Sequence, residues 1–194
     1  MHAEPDDAAA QLRHGLLTPR LLSSTVAYEN PWMRVREDVF MQADGTVGTY
    51  GVVDKTDFSV VIAQQPDGRF YLVEQFRYPL GRRAWELPMG TWPAGRSGSA
   101  QELARQELLE ETGVTASSWR PLGGRLHEAS GFCSQGFHVF HATGLTEGDH
   151  SREASEVDMV SALVTEVEFL AMIRDGRIVD APTITAYSML QLLG

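Results

Sequence analysis

Strand-like patterns dominate the first part of the chain. Val, Phe and Tyr are interspersed among polar residues in three short runs, at 24–28, 33–41 and 46–53. Asn-Pro and Asp-Gly signals separate these runs, so the pattern predicts a small antiparallel meander. Two further runs, at 59–64 and 69–75, flank a Gln-Pro-Asp-Gly segment and predict a hairpin.

A helix with clear start and stop signals is predicted at residues 99–112. Ser99 with Glu102 fits the S-x-x-E capping box, and Gly113 fits a helix end. The helix would bury a stripe formed by Ala100, Ala104 and Leu108.

The remaining patterns predict alternating strands, loops and helices. Residues 76–99 are rich in Gly, Pro and Arg and predict a loop, while strands are predicted near 119–127, 137–143 and 157–164. A second capping box at 165–168 opens a helix that ends near Gly176, and another helix covers 181–192. Strands on either side of isolated helices predict a mixed α+β sandwich with helices packed on the sheet faces.

Composition narrows the class of protein. The 194 residues suit one domain, or one domain with a small appendage. A formal net charge of −10 argues against a nucleic-acid-binding surface. The single cysteine, Cys133, excludes an internal disulfide framework and favours the cytoplasm. The acidic start lacks the features of a signal peptide, and no apolar run is long enough to span a membrane.

Three carboxylates in the predicted helix at 99–112 point to metal chemistry. Glu107, Glu110 and Glu111 are spaced i, i+3 and i+4, which places them on one helix face about 5–6 Å apart at Cβ. Like charges at this spacing destabilise a helix, whereas a hard divalent cation such as Mg²⁺ would turn the repulsion into attraction. The alternative to a metal site is that the three glutamates only form a solvent-exposed acidic face of the helix.

The flanking residues make this helix resemble the Nudix box. The run Glu-Leu-Leu-Glu-Glu-Thr-Gly-Val at 107–114 matches the second half of the box closely. Residues 73–79 and 84–90 look like the segments that precede the box in the ADP-ribose/ADP-sugar pyrophosphatase branch. Two departures matter: Gly90 lies two residues further from Glu107 than in the box, and Gln106 replaces the box arginine. The earlier box glutamate also has no clear counterpart.

The resemblance implies a fold and a division of the chain. We expect a Nudix α/β/α sandwich with a mixed sheet, preceded by an N-terminal antiparallel β-meander. Residues 1–20 would be a flexible tail, 21–56 a β region used for dimerisation, and 57–194 the Nudix hydrolase domain. The branch uses its N-terminal region to exchange between subunits, so we expect a homodimer.

The resemblance also implies the reaction and the metal site. The expected activity is Mg²⁺-dependent hydrolysis of a nucleoside diphosphate sugar, foremost ADP-ribose to AMP and ribose 5-phosphate, with Mn²⁺ as a possible substitute. Glu107, Glu110 and Glu111 would ligate the metal together with the backbone carbonyl of Met89, and Gly90 would permit the turn that aims that carbonyl. Glu107 and Glu111 are the foremost catalytic candidates.

A general base and several substrate contacts are also expected, and each of these residues has a competing structural explanation. A general base is expected in the acidic loop at 147–156, at Glu156 or Glu153, although a solvated loop is the plain alternative. The candidates for contact with substrate are Arg77, Arg82, Glu86, Tyr28 and Trp32. Arginine would bind phosphate oxygens bidentately and aromatic rings would stack on the base. The competing explanations are a solubilising turn for Arg82, a structural hydrogen bond for Glu86 and core packing for the aromatic residues.

Two rival functions remain open at this point. The chain could hydrolyse another nucleoside diphosphate derivative, such as a GDP-sugar, a dinucleotide or coenzyme A. It could also be a non-catalytic sensor of ADP-ribose or another nucleotide, because the box arginine is missing.

Overall fold

A three-stranded antiparallel sheet comes first in the structure. The computed structural model describes residues 18–148 and 158–194. The sheet has the order β1 (Arg20–Asn30), β2 (Met33–Met41) and β3 (Val47–Asp54), and Asn30 Oδ1 shapes its first turn by accepting the N–H of Trp32 at 2.9 Å. The predicted meander is therefore confirmed, with a longer first strand.

This sheet and Gly131–Ser134 belong to one of two compact units, and the other unit comprises Thr56–Ser130 and Gln135–Gly194. The second unit contains, in chain order, β4 (Phe58–Ala63), β5 (Phe70–Arg77), a 3₁₀ turn (Tyr78–Leu80), β6 (Arg82–Glu86), β7 (Met89–Thr91), α1 (Ala100–Thr112), β8 (Val114–Pro121), β9 (Leu126–His127), β10 (Gly136–Glu147), β11 (Val160–Val164), α2 (Glu166–Arg174) and α3 (Ala181–Leu193).

Two sheets organise the second unit. One has the order β7-β4-β10-β8, with β9 also paired to β10, and it is mixed because β4 and β10 run parallel. The other is antiparallel, in the order β11-β5-β6. The predicted α/β/α sandwich with a mixed sheet, preceded by an antiparallel meander, is confirmed.

Strand β4 is buried on both faces because helices cover both. Val60 and Ile62 pack in a cluster with residues of α2 and α3, while Val61 and Ala63 pack with Ala104 and Leu108 of α1. The period of two in a strand sends alternate side chains to opposite faces. A strand covered on both faces therefore needs a continuous apolar run, and β4 has one.

The helix boundaries follow the predicted caps. In α1, Ser99 Oγ accepts the N–H of Glu102 at 3.2 Å and Glu102 Oε2 accepts the N–H of Ser99 at 2.8 Å. Gly113 ends the helix with a φ of 73°, a left-handed conformation that glycine adopts without steric cost. Thr165 and Glu168 form the same box at α2.

Two predictions of local structure are wrong. The turn at Gln65–Arg69 forms, but after a bridge between Gln64 and Phe70 the strands β4 and β5 enter different sheets, so they are not a hairpin. Residues 76–99 are not one loop, because they contain β6, β7 and a 3₁₀ turn. Within the described chain, no helix is long and apolar enough to cross a membrane.

Candidate active site

The segment between β6 and β7 is fixed from two sides. The N–H of Leu87 donates to Thr183 Oγ1 of α3 at 3.0 Å, and the N–H of Val61 donates to the carbonyl of Pro88 at 2.9 Å. Leu87 and Thr183 are fully buried. The backbone on either side of Pro88 is thereby held against both the mixed sheet and α3.

Two glutamates of α1 face this segment. Glu107 and Glu111 lie one turn apart and are only 7% and 1% exposed. The N–H of Met89 donates to Glu111 Oε2 at 3.1 Å, so the helix is tied directly to β7. The carboxylate of Glu107 lies against Gly90, since a Cβ built at Gly90 would be 2.5 Å from its Cδ and Oε1.

The predicted role of Gly90 as a turn residue is wrong. Gly90 lies inside β7, paired with Ser59 of β4, and its φ is not in the left-handed region. What the glycine provides is space, because any side chain there would overlap the carboxylate of Glu107. A glycine in a strand is often a sign of such a close approach.

The third glutamate of the triplet has a different environment. Glu110 is half-buried, and both of its carboxylate oxygens accept hydrogen bonds from Gln106 Nε2, at 3.0 and 3.2 Å. Arg105 does not take over from the box arginine, because its guanidinium lies 5.5 Å from the ring centre of Trp119.

The donors fit a hard divalent cation in type, and one of them has space beside it. Carboxylate oxygens are the ligands that Mg²⁺ and Mn²⁺ prefer, and Gly90 leaves Glu107 the space that a Cβ would fill. Among the described residues, however, no three His, Cys, Asp or Glu side chains are gathered in a metal-binding arrangement. The carboxylates of Glu110 and Glu111 bond instead to Gln106 and Met89, so metal ligation would require rotation about their side-chain bonds.

An ion pair between a buried glutamate and a partly exposed arginine lies next to this helix face. Glu86 is 1% exposed and accepts hydrogen bonds from Arg77 Nη2 at 2.5 Å, from Arg77 Nε at 3.0 Å and from Gln75 Nε2 at 2.7 Å. Burial raises the pKa of the Glu86 carboxyl, and the charge of Arg77 offsets part of that shift. For Arg77, burial alone would lower the pKa, but the charge and hydrogen bonds of Glu86 outweigh it and raise that pKa.

The other candidates differ in their surroundings. Arg82 is exposed and its Nη1 donates to the carbonyl of Gly176 at 3.1 Å. Tyr28 and Trp32 belong to the first unit and are 53% and 77% exposed. Glu153 and Glu156 lie outside the described residues.

Two residues of the site were not predicted. Gln75 shares Glu86 with Arg77, and a signal was available, because residues two apart on a strand point to the same face. Thr183 anchors Leu87 from 96 positions away in the chain, and no local pattern indicates that contact.

Comparison with known proteins identifies the class. A family model described as a NUDIX domain matches residues 54–185, and one described as a nucleoside diphosphate sugar hydrolase N-terminal domain matches residues 20–53. The chain therefore belongs to the Nudix family. The predicted resemblance and the predicted enzyme class, a Nudix pyrophosphohydrolase, are confirmed.

Two relatives and one solved structure resemble the chain over most of its length. The chain is 32% identical to the ADP-ribose pyrophosphatase of Mycobacterium tuberculosis (strain ATCC 25618 / H37Rv) over 162 residues, covering 82% of this chain and 77% of that protein. It is 31% identical to the ADP-ribose pyrophosphatase of Bacillus subtilis (strain 168) over 157 residues, covering 80% and 83%. A crystal structure of an ADP compounds hydrolase shares the fold, with a TM-score of 0.78 at 17% identity over 92% of this chain and 95% of that one.

Proposed function

We propose that the protein hydrolyses the diphosphate bond of a nucleoside diphosphate sugar, foremost ADP-ribose to AMP and ribose 5-phosphate. One structural observation carries the proposal: Glu107 and Glu111 are buried side by side against the backbone of β7, with space left by Gly90. Carboxylate oxygens are the ligands that hard divalent cations prefer. The two relatives named ADP-ribose pyrophosphatases support the choice of substrate.

Four groups of this chain would hold Mg²⁺, or Mn²⁺ in its place. They are the carboxylates of Glu107, Glu110 and Glu111 and the backbone carbonyl of Met89. When bound, the metal would polarise the diphosphate and lower the pKa of a water molecule. The protein fixes the backbone that carries these groups through α1, which is capped at both ends, and ties α1 to β7 through the hydrogen bond from Met89 to Glu111.

Arg77 and Glu86 would bind the substrate as a unit. Glu86 occupies Nε and Nη2 of Arg77, while Nη1 makes no hydrogen bond with the described residues. The Arg77 side chain is 38% exposed, so the guanidinium would be partly accessible to a phosphate oxygen. Arg82, exposed and bonded to one carbonyl, is the weaker candidate for the same role.

Glu156 or Glu153 would be the general base that deprotonates the attacking water. The proposal rests on the resemblance and on their place in the acidic loop. Glu107 and Glu111 would act through the metal.

A panel assay tests the proposed function. We would measure phosphomonoester formation from ADP-ribose, GDP-mannose, a dinucleotide and coenzyme A, with Mg²⁺ and with EDTA. Glu111→Gln should abolish turnover, and Glu128→Gln, which removes an exposed carboxylate elsewhere, should not. We expect metal-dependent turnover to be fastest with ADP-ribose. Preference for another substrate would support the first rival, and tight binding of ADP-ribose without turnover would support the sensor.

A homodimer formed through residues 21–56 completes the proposal, with residues 57–194 as the hydrolase domain. Apolar side chains on the first sheet are unusually exposed for a single chain, namely Leu21 (56%), Val26 (51%), Tyr28 (53%), Trp32 (77%) and Val47 (60%). A second copy of the chain would cover them and bring Tyr28 and Trp32 to the substrate. Light scattering should give the dimer mass for the wild type and a lower mass for Val26→Arg. A wild-type monomer would contradict this part.

We place the enzyme in the cytoplasm. Cys133 is buried and is the single cysteine of the sequence, so the chain has no internal disulfide, which suits a reducing compartment. Fractionation of cells that express the tagged chain would test this location.

A further inference from the structure

A small pocket lies beside the first turn of α1, within the second unit of the chain. Its volume is about 270 Å³, slightly below the range of about 300–1,000 Å³ that is usual for pockets holding drug-sized ligands. The buried residues Phe58 and Leu103 form part of its lining. A pocket of this size with an apolar part suits one flat ring system rather than a whole dinucleotide.

The pocket adjoins the proposed metal site without being part of it. Ser59, in the pocket lining, is paired with Gly90 of β7. Leu103 lies one turn before Glu107 on α1. Among the described residues that line the pocket there is neither Glu107 nor Glu111. A ligand held here would therefore contact a different set of side chains from the diphosphate.

Trp92 gives the pocket an aromatic wall. The loop that follows β7 holds this side chain, because the guanidinium of Arg96 lies 5.5 Å from a ring centre of Trp92. The backbone of the same loop also packs against the indole, since a Cβ built at Gly98 would be 2.7 Å from Cζ2 of Trp92. An aromatic side chain at the wall of a pocket offers a surface on which a flat base can stack.

Two polar side chains line the same pocket, His138 and Asp57. His138 is half-buried, and its ring makes no hydrogen bond with the described residues. Asp57 accepts two hydrogen bonds from Arg125 and one from the N–H of Gly136. Only one of the three reaches Oδ2, at 2.6 Å from Arg125 Nε, so this oxygen can accept another. The pocket thus keeps one donor or acceptor on His138 and one acceptor on Asp57.

These groups match one edge of an amino-substituted nitrogen heterocycle. The carboxylate of Asp57 would accept from the exocyclic amino group, and an N–H of His138 would donate to the adjacent ring nitrogen. Adenine carries this donor and acceptor side by side on a flat ring. Hypoxanthine carries them in reverse, so its carbonyl oxygen would face the carboxylate of Asp57.

We propose that this pocket is a second nucleotide site, which binds the adenine ring of a nucleotide separately from the substrate. The site goes beyond the proposed function, and only its separation from the substrate rests on that function. There Tyr28 and Trp32 take the base of the substrate, so the pocket beside α1 is left for another adenine compound, such as the product AMP.

Binding of adenosine to the full chain in EDTA is the test, because it needs neither metal nor turnover. We would titrate adenosine and inosine by calorimetry. The wild type should bind adenosine, and inosine should bind at least roughly tenfold more weakly because its carbonyl meets the carboxylate of Asp57. Trp92→Leu should weaken adenosine binding by roughly 5- to 100-fold through the loss of stacking. Trp92→Phe keeps an aromatic ring and should restore most of the affinity.

Trp32→Leu is the matched control, since it removes an exposed tryptophan from the other unit. We expect it to leave adenosine affinity in EDTA unchanged. Loss of adenosine binding in Trp32→Leu but not in Trp92→Leu would place the ring at the substrate contacts and overturn the proposal. So would simple competition between adenosine and ADP-ribose that Trp92→Leu does not relieve.

Two further outcomes also decide the matter. No binding of adenosine to the folded wild type at concentrations up to about 1 mM, or equal affinity for inosine, would contradict the proposal. A wild type that binds adenosine in this pattern but hydrolyses no diphosphate would overturn the proposed function and leave the pocket standing. Metal-dependent hydrolysis without adenosine binding would do the reverse.

Discussion

The close approach of Gly90 to Glu107 makes a sharp prediction about Gly90→Ala. The backbone of Gly90 lies in β7 at an ordinary φ, so alanine suits the main chain there. The new Cβ would nevertheless be 2.5 Å from Cδ and Oε1 of Glu107, where ordinary contacts are 3.4–4 Å. The carboxylate must therefore move by about 1 Å, the difference between these distances.

The two effects of the substitution have opposite signs. Alanine restricts the unfolded chain more than glycine does, which should stabilise the fold by about 0.4–1 kcal/mol. Overlap with a carboxylate that is only 7% exposed should cost about 1–3 kcal/mol. The net loss of stability is modest, whereas a displacement of this size at a catalytic group should lower kcat/KM by about 100-fold.

Three measurements test this account of Gly90. We would determine kcat/KM for ADP-ribose across a Mg²⁺ titration, the Mn²⁺ affinity, and the free energy of unfolding in urea. Gly124→Ala is the control, because nothing lies within 4 Å of a Cβ at that position. In a Glu107→Ala background the clash is removed, so Gly90→Ala should become stabilising by about 0.4–1 kcal/mol.

The change of sign in that double variant is the decisive result. If Gly90→Ala costs the same stability with and without the Glu107 side chain, the overlap is not the cause of the loss. If Gly90→Ala alone keeps the kcat/KM and Mn²⁺ affinity of the wild type, the position of the Glu107 carboxylate does not matter for the metal site.

Three further predictions concern the base, the buried ion pair and acid stability. If the acidic loop supplies the base, Glu153→Gln or Glu156→Gln should lower kcat by about 10²- to 10⁴-fold, and near wild-type kcat in both would place the base elsewhere. Arg77→Met should destabilise the fold by about 1–3 kcal/mol because it leaves the carboxylate of Glu86 buried without its guanidinium. Adding Glu86→Gln should recover part of that loss in urea denaturation, and no recovery would refute the argument. The hydrogen bonds that Asp57 accepts lower its pKa in the fold, so its stabilising effect is present above the unfolded-state pKa and is lost as the pH falls through the folded-state pKa. Asp57→Asn should therefore melt below the wild type at pH 7, with a gap that narrows at pH 3, and a constant gap would contradict the assignment.

Features encoded by short stretches of sequence could be predicted. The caps of α1 and α2 depend on residues three positions apart, and both capping boxes are present in the structure. The first sheet connects neighbouring strands through short turns, so its order follows the chain. The glutamate triplet depends on helical periodicity alone.

Features that depend on contacts between distant parts of the chain could not be predicted from local sequence. The turn at residues 65–68 signals a hairpin, yet β4 pairs in parallel with β10, where Phe58 lies opposite Phe137. That partner is far along the sequence, and its competition for β4 is invisible in a local window. Strands β6 and β7 were missed because Gly, Pro and Arg dominate the segment, while their pairing with β5 and β4 overrides that composition.

The burial of the acidic groups separates a functional explanation from a structural one. Glu86, Glu107 and Glu111 are each at most 7% exposed, and a stable core gains nothing from replacing leucine by a carboxylate at such positions. For Glu86 a structural account is sufficient, because Arg77 and Gln75 satisfy its oxygens. For Glu107 it is weaker, because the chain also keeps a glycine opposite the carboxylate, which costs backbone entropy within a strand. Burial of the Glu107 carboxylate and a glycine within the strand each cost stability, and a site for a cation would require both. The double variant of Gly90 and Glu107 measures these two costs.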